Sequence, residues 1–70
     1  MNNFKETEGK LFRYNMSNRE LCFVLSVTHM VSGEFLVERL FVWYNMATGL
    51  DSIVYDDLKQ WNSNWSEVKP

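Results

Sequence analysis

The sequence has few of the residues that staple small domains together. It contains one cysteine, Cys22, and one histidine, His29. A single cysteine cannot form an intramolecular disulfide, and a tetrahedral zinc site here would need carboxylates for its other ligands, which is uncommon in structural sites. Disulfide-stapled and zinc-stapled folds are therefore excluded. We expect no metal and no other cofactor.

Long apolar runs and clustered basic residues are also missing. No apolar segment reaches the roughly 18 residues of a membrane helix, and residues 1–15 include two glutamates and lack the apolar centre of a signal peptide. The net charge is −2, and the seven basic residues are scattered along the chain, which argues against general phosphate binding. We therefore predict a cytoplasmic protein that does not bind membranes.

What the sequence does contain is apolar and aromatic residues, 46% and 16% of the chain. A chain of 70 residues buries only about 60% of its unfolded surface, so a catalytic pocket would compete with the core for the same side chains. No repeat or linker divides the chain. We predict a single domain over residues 1–70 that is not an enzyme and takes no small-molecule substrate, with residues 1–8 frayed.

Alternation of apolar and polar residues predicts a mainly β fold. The clearest strand is the segment in which Leu21, Phe23, Leu25 and Val27 alternate with smaller or more polar residues. Asp56 and the aspartate after it are expected to cap one helical turn. The other predicted strands are Lys10–Tyr14, Phe35–Met46, Leu50–Tyr55 and Trp65–Val68, with breaks at residues 15–18, 32–33, 48–49 and 62–64.

The segment from Phe35 to Met46 allows two interpretations. Its aromatic and β-branched residues, and the hairpin-like residues before it, favour a strand that is apolar on both faces. A helix over residues 34–46 is the alternative, because Ser32 could cap it and Leu36, Leu40 and Tyr44 would lie on one stripe. The first interpretation gives an all-β domain and the second an α+β domain.

The order of these elements resembles the small SH3-like barrel, in which a four-strand meander is followed by a helical turn and a last short strand. The ending from Tyr55 to Leu58, with Trp61 and Trp65, looks like the ends of short accessory proteins of this type from phages and bacteria. The resemblance implies a small barrel or a strongly bent antiparallel meander of four to five strands. It also implies a phage-encoded structural or host-modulating protein, found in the host cytoplasm or the virion.

A surface for a partner is predicted in the two-sided apolar segment. The five consecutive residues Leu40, Phe41, Val42, Trp43 and Tyr44 form an aromatic and aliphatic strip. In one register Phe41 and Trp43 face the core, and Leu40, Val42 and Tyr44 point outward. In the other register Leu40, Val42 and Tyr44 face the core, and Phe41 and Trp43 are exposed. Either register leaves apolar side chains that a protein partner or a second copy would cover. We therefore predict a non-catalytic interaction module, with oligomers among its possible forms.

One other covering and two other functions compete with this hypothesis. Residues 56–65 could fold over the strip as a second layer, which would place Trp61 and Trp65 in the core. An enzyme would need a pocket that gathers His29 with one of the two aspartates at 56–57, and Cys22 is better explained as a small buried residue. The alternative function is single-stranded nucleic-acid binding, for which aromatic and basic side chains must be interleaved. Its candidate residues are Lys10, Phe12, Arg13 and Tyr14.

Overall fold

The fold is a single antiparallel sheet with two short helices. The computed structural model describes residues 3–17, 20–43 and 46–69, and of Trp43, Met46 and Ala47 it describes only the backbone. Five strands lie in the order β4-β3-β2-β1-β5. In chain order the elements are a 3-10 helix (Phe4–Thr7), β1 (Leu11–Tyr14), β2 (Glu20–His29), β3 (Phe35–Trp43), β4 (Met46–Tyr55), helix α1 (Leu58–Asn64) and β5 (Trp65–Glu67).

The mainly β prediction is confirmed, and the alternative helix over residues 34–46 is wrong for its described part. Phe35–Trp43 is β3, which pairs with β2 on one side and β4 on the other, and these two ladders satisfy its main-chain groups. The hairpin before it closes as the turn residues indicated. Met30 N–H donates to Glu34 O at 2.8 Å, and Gly33 adopts the left-handed conformation with φ 93°.

A β-bulge in β2 decides which side chains enter the core. Val24 lies opposite Arg39 but Ser26 lies opposite Glu38, so Leu25 is an extra residue in the ladder. One extra residue reverses the alternation beyond it. The set that alternates in the sequence is therefore split between the faces: Val27 is buried, while Leu25 is 46% exposed.

The expected break at Thr48-Gly49 is wrong, because both residues lie inside β4. Phe41 pairs with Gly49 and Val42 pairs with Ala47, so the residue between them is the extra residue of a second bulge. The Thr48 hydroxyl donates to Phe41 O at 3.4 Å. Bulges and turns both favour small and polar residues, and for this reason the sequence suggested a turn here.

The core lies between the inner face of the sheet and the two helices. Trp61 of α1 is fully buried, packs edge-on against Phe12 and Tyr55 at 5.2 Å each, and stacks on Trp65 at 5.3 Å. The segment after β4 thus places Trp61 and Trp65 in the core, as the second-layer alternative proposed, but it packs on the Phe41 side of the predicted strip and leaves Leu40 and Val42 uncovered.

The N-terminal segment also belongs to the core. Phe4 is 1% exposed, and its ring lies 5.1 Å from Phe35 and 5.9 Å from Trp61. The expectation that residues 1–8 are frayed is therefore wrong for Phe4–Thr7, because burial of this ring holds the 3-10 helix against the sheet. Met1 and Asn2 lie outside the described residues.

Two charged side chains of this segment bind the main chain of β2 beyond the bulge. Glu8 Oε2 accepts from Val27 N–H at 2.7 Å, and Lys5 Nζ donates to Val27 O at 3.1 Å. Lys5 Nζ also lies 3.2 Å from Glu8 Oε2. The hydrogen bond from Val27 holds the pKa of Glu8 below its ordinary value, against the opposing effect of burial, and Lys5 lowers it further.

The capping of α1 gives a first prediction. Asp57 Oδ1 accepts from Gln60 N–H at 2.9 Å, whereas Asp56 enters the cap through its own N–H, which donates to Gln60 Oε1 at 2.7 Å. Asp57→Ala removes the acceptor and is expected to lower the free energy of unfolding by about 1 kcal/mol in urea titrations. Asp56→Ala is the matched control, and an equal loss from both variants would contradict the assignment.

The pH dependence of stability gives a second prediction. Because the pKa of Glu8 is lower in the folded chain, its contribution is complete above a pH of about 4.5, declines as the pH falls further, and is lost below the folded-state pKa. Glu8→Gln should therefore lower stability near neutral pH and make the acid limb of the stability curve shallower. Urea unfolding over a pH series measures this. Glu6→Gln, in the 3-10 helix that precedes Glu8, is the control, and a limb of unchanged slope in Glu8→Gln would reject the assignment.

Candidate functional site

The two faces of the sheet differ in what covers them. Residues directly opposite one another in antiparallel strands share a face, so the pairing registers assign the paired residues with described side chains to one side or the other. The buried rings of the helices, Phe4 and Trp61, both contact side chains of one face, which we call the inner face. In the part of the chain that the structure describes, no helix packs on the opposite face.

The opposite side carries a row of apolar side chains across four strands. Leu11 lies opposite Phe23, Phe23 opposite Leu40, and Leu40 opposite Leu50. In the next row Leu21 lies opposite Val42. We call these residues the outer apolar face: Leu11, Leu21, Phe23, Leu40, Val42 and Leu50.

Exposure separates this face from the core. Leu50 is 72% exposed, and the other five side chains are half-buried. On the inner face Cys22, Val24 and Val37 are completely buried. The outer apolar side chains shield one another only partly, and water reaches the remainder of a contiguous apolar surface.

The predicted strip divides between the two faces. Leu40 and Val42 belong to the outer apolar face, while the Phe41 ring points inward and lies 6.4 Å from the Trp65 ring. For these residues the structure has the first of the two registers considered. The backbone of Trp43 pairs with that of Glu20. The Trp43 side chain and Tyr44 lie outside the described residues.

Four members of the outer apolar face were not in the predicted strip although their signals were present. Leu21 and Phe23 lie in the clearest alternating strand, and Leu11 and Leu50 lie in two other predicted strands. Both alternating sets of β3 are apolar, so the pattern could not say which set faces outward. Pairing with β2 decides it, because Leu40 stands opposite Phe23.

A buried ion pair helps to fix which side chains of β3 face the core. The Arg39 side chain is 7% exposed, and its Nε and Nη2 donate to Asp51 Oδ1 and Oδ2 at 2.9 and 2.7 Å. The guanidinium lies 4.7 Å from the centre of the Phe41 ring and 5.7 Å from that of Trp65. Burial lowers the pKa of Arg39, but the hydrogen bond and the charge of Asp51 outweigh it, so the net pKa is raised. The sequence could not show this pair, because Arg39 and Asp51 lie in separate strand segments.

The other residues considered for catalysis, His29, Cys22 and the two aspartates at 56–57, do not come together in one site. His29 is exposed and stacks on Phe35 at 4.6 Å, and among the described residues no hydrogen bond or ion pair joins it to Asp56 or Asp57. Burial raises the pKa of the Cys22 thiol to about 12, so the thiolate nucleophile is suppressed. Within residues 3–17, 20–43 and 46–69, no cluster of three His, Cys, Asp or Glu side chains could hold a metal ion.

The bulge also corrects the expected geometry of the single cysteine and histidine. A regular strand would place Cys22 and His29 on opposite faces, but the register beyond the bulge puts both on the inner face. They are separated by about 20 Å along the strand. A Cys–His dyad is therefore excluded by distance rather than by face.

The two aromatic rings considered for nucleic-acid binding pack against other rings of the protein. Phe12, a candidate for stacking on bases, is 4% exposed and packs against Trp61 in the core. Tyr14 is half-buried with its ring 5.2 Å from that of Trp65. Lys10 Nζ lies 3.9 Å from Glu67 Oε1. Bases cannot stack on a ring that the core already surrounds.

A groove of about 470 Å³ lies between the 3-10 helix, β1, α1 and β5. Its lining includes Phe12 and Trp65 together with Lys10, Lys69 and Glu67. Charges of both signs line the groove, and two of them form the pair just described. The groove therefore selects no particular class of ligand.

Comparison of the chain with protein-family models, with curated proteins and with solved structures found no match. Neither helix in the described part of the chain is long and apolar enough to cross a membrane. The candidate site is therefore identified from the geometry of the structure alone. It is the outer apolar face, on which no helix of the described residues packs.

The ion pair gives a third prediction. Asp51→Asn removes one charge and leaves Arg39 buried beside a neutral amide. Because the Asp51 side chain is 39% exposed, solvent compensates in part, and we expect the free energy of unfolding to fall by about 1 to 3 kcal/mol. The control is Glu67→Gln, which breaks the surface pair with Lys10 and should cost about 0.5 kcal/mol or less. Chemical denaturation measures both, and equal losses would argue against a special role for the buried pair.

Proposed function

We propose that this chain is a non-catalytic protein-interaction module and that the outer apolar face is its binding surface. One observation carries the proposal: an uninterrupted row of apolar side chains, from Leu11 through Phe23 and Leu40 to Leu50, crosses four strands on the side away from the helices. Binding a partner removes this surface from water at about 25 cal/mol per Å² of apolar area.

The surroundings of this face support a protein partner. Arg13 lies opposite Leu21, at one border of the outer apolar face, and Glu38 lies opposite Ser26 and Ser52 at the other border. The Ser26 hydroxyl donates to Glu38 Oε1 at 2.8 Å. An apolar centre with a polar border is the usual composition of a protein interface.

The rigidity of the surface supports binding without large rearrangement. Four of the outer apolar side chains lie on β2 and β3, which are paired with strands on both sides. Side chains on a central strand have less freedom to lose on binding than those of a loop. A flat, preformed apolar surface of this kind suits an apolar patch on another folded protein.

The resemblance to small SH3-like barrels stays a proposal from the order of the elements. The first and last strands pair, and α1 immediately precedes β5. That relationship, the phage or bacterial origin and the cytoplasmic location remain predictions from the sequence. The function proposed from the outer apolar face does not depend on them.

Photo-crosslinking tests the proposed surface. A photoreactive phenylalanine derivative at Phe23 should crosslink to a defined protein in the cells that produce the chain, and the same group at Val31, which is fully exposed in the β2–β3 turn, should not. Leu40→Lys places a charge at the centre of the face and should reduce the crosslink at least about tenfold, since burying an unpaired charge at an interface is costly.

Two controls make the result interpretable. Leu25→Lys adds the same charge at the exposed bulge residue and should leave the crosslink unchanged. If Leu40→Lys does not fold, as judged by circular dichroism, Leu11→Lys at the half-buried end of the row replaces it. Crosslinking that is equal at Phe23 and Val31, or indifferent to the added charge, would reject the proposed surface.

A further inference from the structure

The free edges of the sheet are protected unequally. A strand edge presents unpaired N–H and C=O groups that can pair with another chain, and proteins commonly protect edges with short strands or charged side chains. β5 is only three residues long. Where β2 extends beyond β1, the Glu8 carboxylate and the Lys5 ammonium bind both main-chain groups of Val27. Two of the three edge segments therefore carry a recognisable protection.

The edge of β4 has neither form of protection. β4 is ten residues long, and within the described residues no strand pairs with its outer side. The hydrogen bond from Met30 N–H to Glu34 O sets the alternation of the ladders on both sides of β3. By that alternation Leu50, Ser52 and Val54 direct their N–H and C=O groups away from β3, to the uncovered edge.

The charge along the β4 edge favours a second copy of the chain as the partner. Asp51 is the only charged residue in β4, and its carboxylate is already bound by both nitrogens of the Arg39 fork. A second copy therefore brings no uncompensated charge of the same sign to the edge. Leu50 is 72% exposed and Val54 is 41% exposed, so apolar groups take the place of the lysines that commonly discourage pairing.

We propose that β4 pairs antiparallel with β4 of a second copy, with Ser52 of one chain opposite Ser52 of the other. In this register Leu50 of each copy faces Val54 of the other, so each exposed apolar side chain covers its counterpart. A register centred on Asp51 sets two carboxylates opposite one another, and one centred on Ile53 sets Leu50 opposite Asp56. Of these three registers, the one at Ser52 combines apolar contact with separation of the carboxylates.

The symmetry of this pairing connects two surfaces of the molecule. A two-fold axis perpendicular to the sheet joins the two sheets edge to edge and keeps both outer apolar faces on the same side. Dimerisation through β4 extends the proposed interaction surface without covering it. The inference goes beyond the proposed function, because the dimer does not require a partner on the outer apolar face.

Cysteine crosslinking tests the pairing and its register. Opposed residues of a hydrogen-bonded pair have Cα atoms about 5.5 Å apart, within the range of a disulfide. Under mild oxidation Ser52→Cys should form a disulfide dimer at least about tenfold faster than Val31→Cys, the exposed control. Leu50→Cys alone should resemble the control, whereas an equal mixture of Leu50→Cys and Val54→Cys should crosslink rapidly. The native Cys22 does not interfere, because it is completely buried.

Light scattering on the full chain supplies the second measurement. We expect the mean molar mass to rise with protein concentration, from 8.4 kDa toward twice that value. Ser52→Pro removes a central outward N–H at an edge position that tolerates proline and should raise the dimer Kd at least about tenfold. If Ser52→Pro does not fold, Val54→Lys replaces it. Val31→Lys should leave the dimer intact.

The outcomes separate this inference from the proposed function. A dimer that survives Phe23→Lys but not Ser52→Pro supports pairing through β4, whatever the crosslinking partner of the outer apolar face. A dimer lost in Phe23→Lys and kept in Ser52→Pro overturns the inference and assigns self-association to the outer apolar face. A monomer at every concentration, or equal crosslinking of Ser52→Cys and Val31→Cys, also overturns it.

Discussion

The packing of Trp61 is the interaction on which the rest of the structure depends. Its ring contacts Phe4 of the 3-10 helix, Phe12 of β1, Tyr55 of β4 and Trp65 of β5, so one side chain joins both ends of the chain to the sheet. Its Nε1 is buried with no hydrogen-bond partner among the described residues, a loss of about 1–3 kcal/mol that the burial of a large ring outweighs. Because both helices gather around this ring, they cover one face of the sheet and leave the other open.

The Arg39–Asp51 pair adds specificity to that packing. A buried ion pair is weak evidence for stability by itself, but it penalises any register that separates its members. Sliding β3 by one residue would expose the guanidinium to the outer side and turn Phe41 away from Trp65. The pair thus specifies the face that Phe41 occupies, and through the alternation of the strand it also specifies that Leu40 and Val42 point outward.

Much of the fold could be predicted from local chemistry. The hairpin at Gly33, the cap of α1 and the presence of strand β2 depend on neighbouring residues, and all three are found. The faces could not be predicted in the same way, because an extra residue at Leu25 reverses the alternation and only pairing with β3 reveals it. The candidate site was predicted in part for the same reason: Leu40 and Val42 lie on it, whereas Phe41 lies in the core. The role of Phe4 depends on a distant contact with Trp61, which no local pattern encodes.

The size of the chain explains why the apolar residues of the outer side are informative. A 70-residue chain has too little sequence to cover both faces of a five-stranded sheet. A sheet with one solvated face ordinarily alternates apolar and polar residues, whereas Phe23 and Leu40 on the open face are apolar. Apolar side chains at these positions contribute little to the core of the isolated chain, because that core lies on the other side of the sheet. Under the proposed function, these side chains are removed from water when another protein surface covers them.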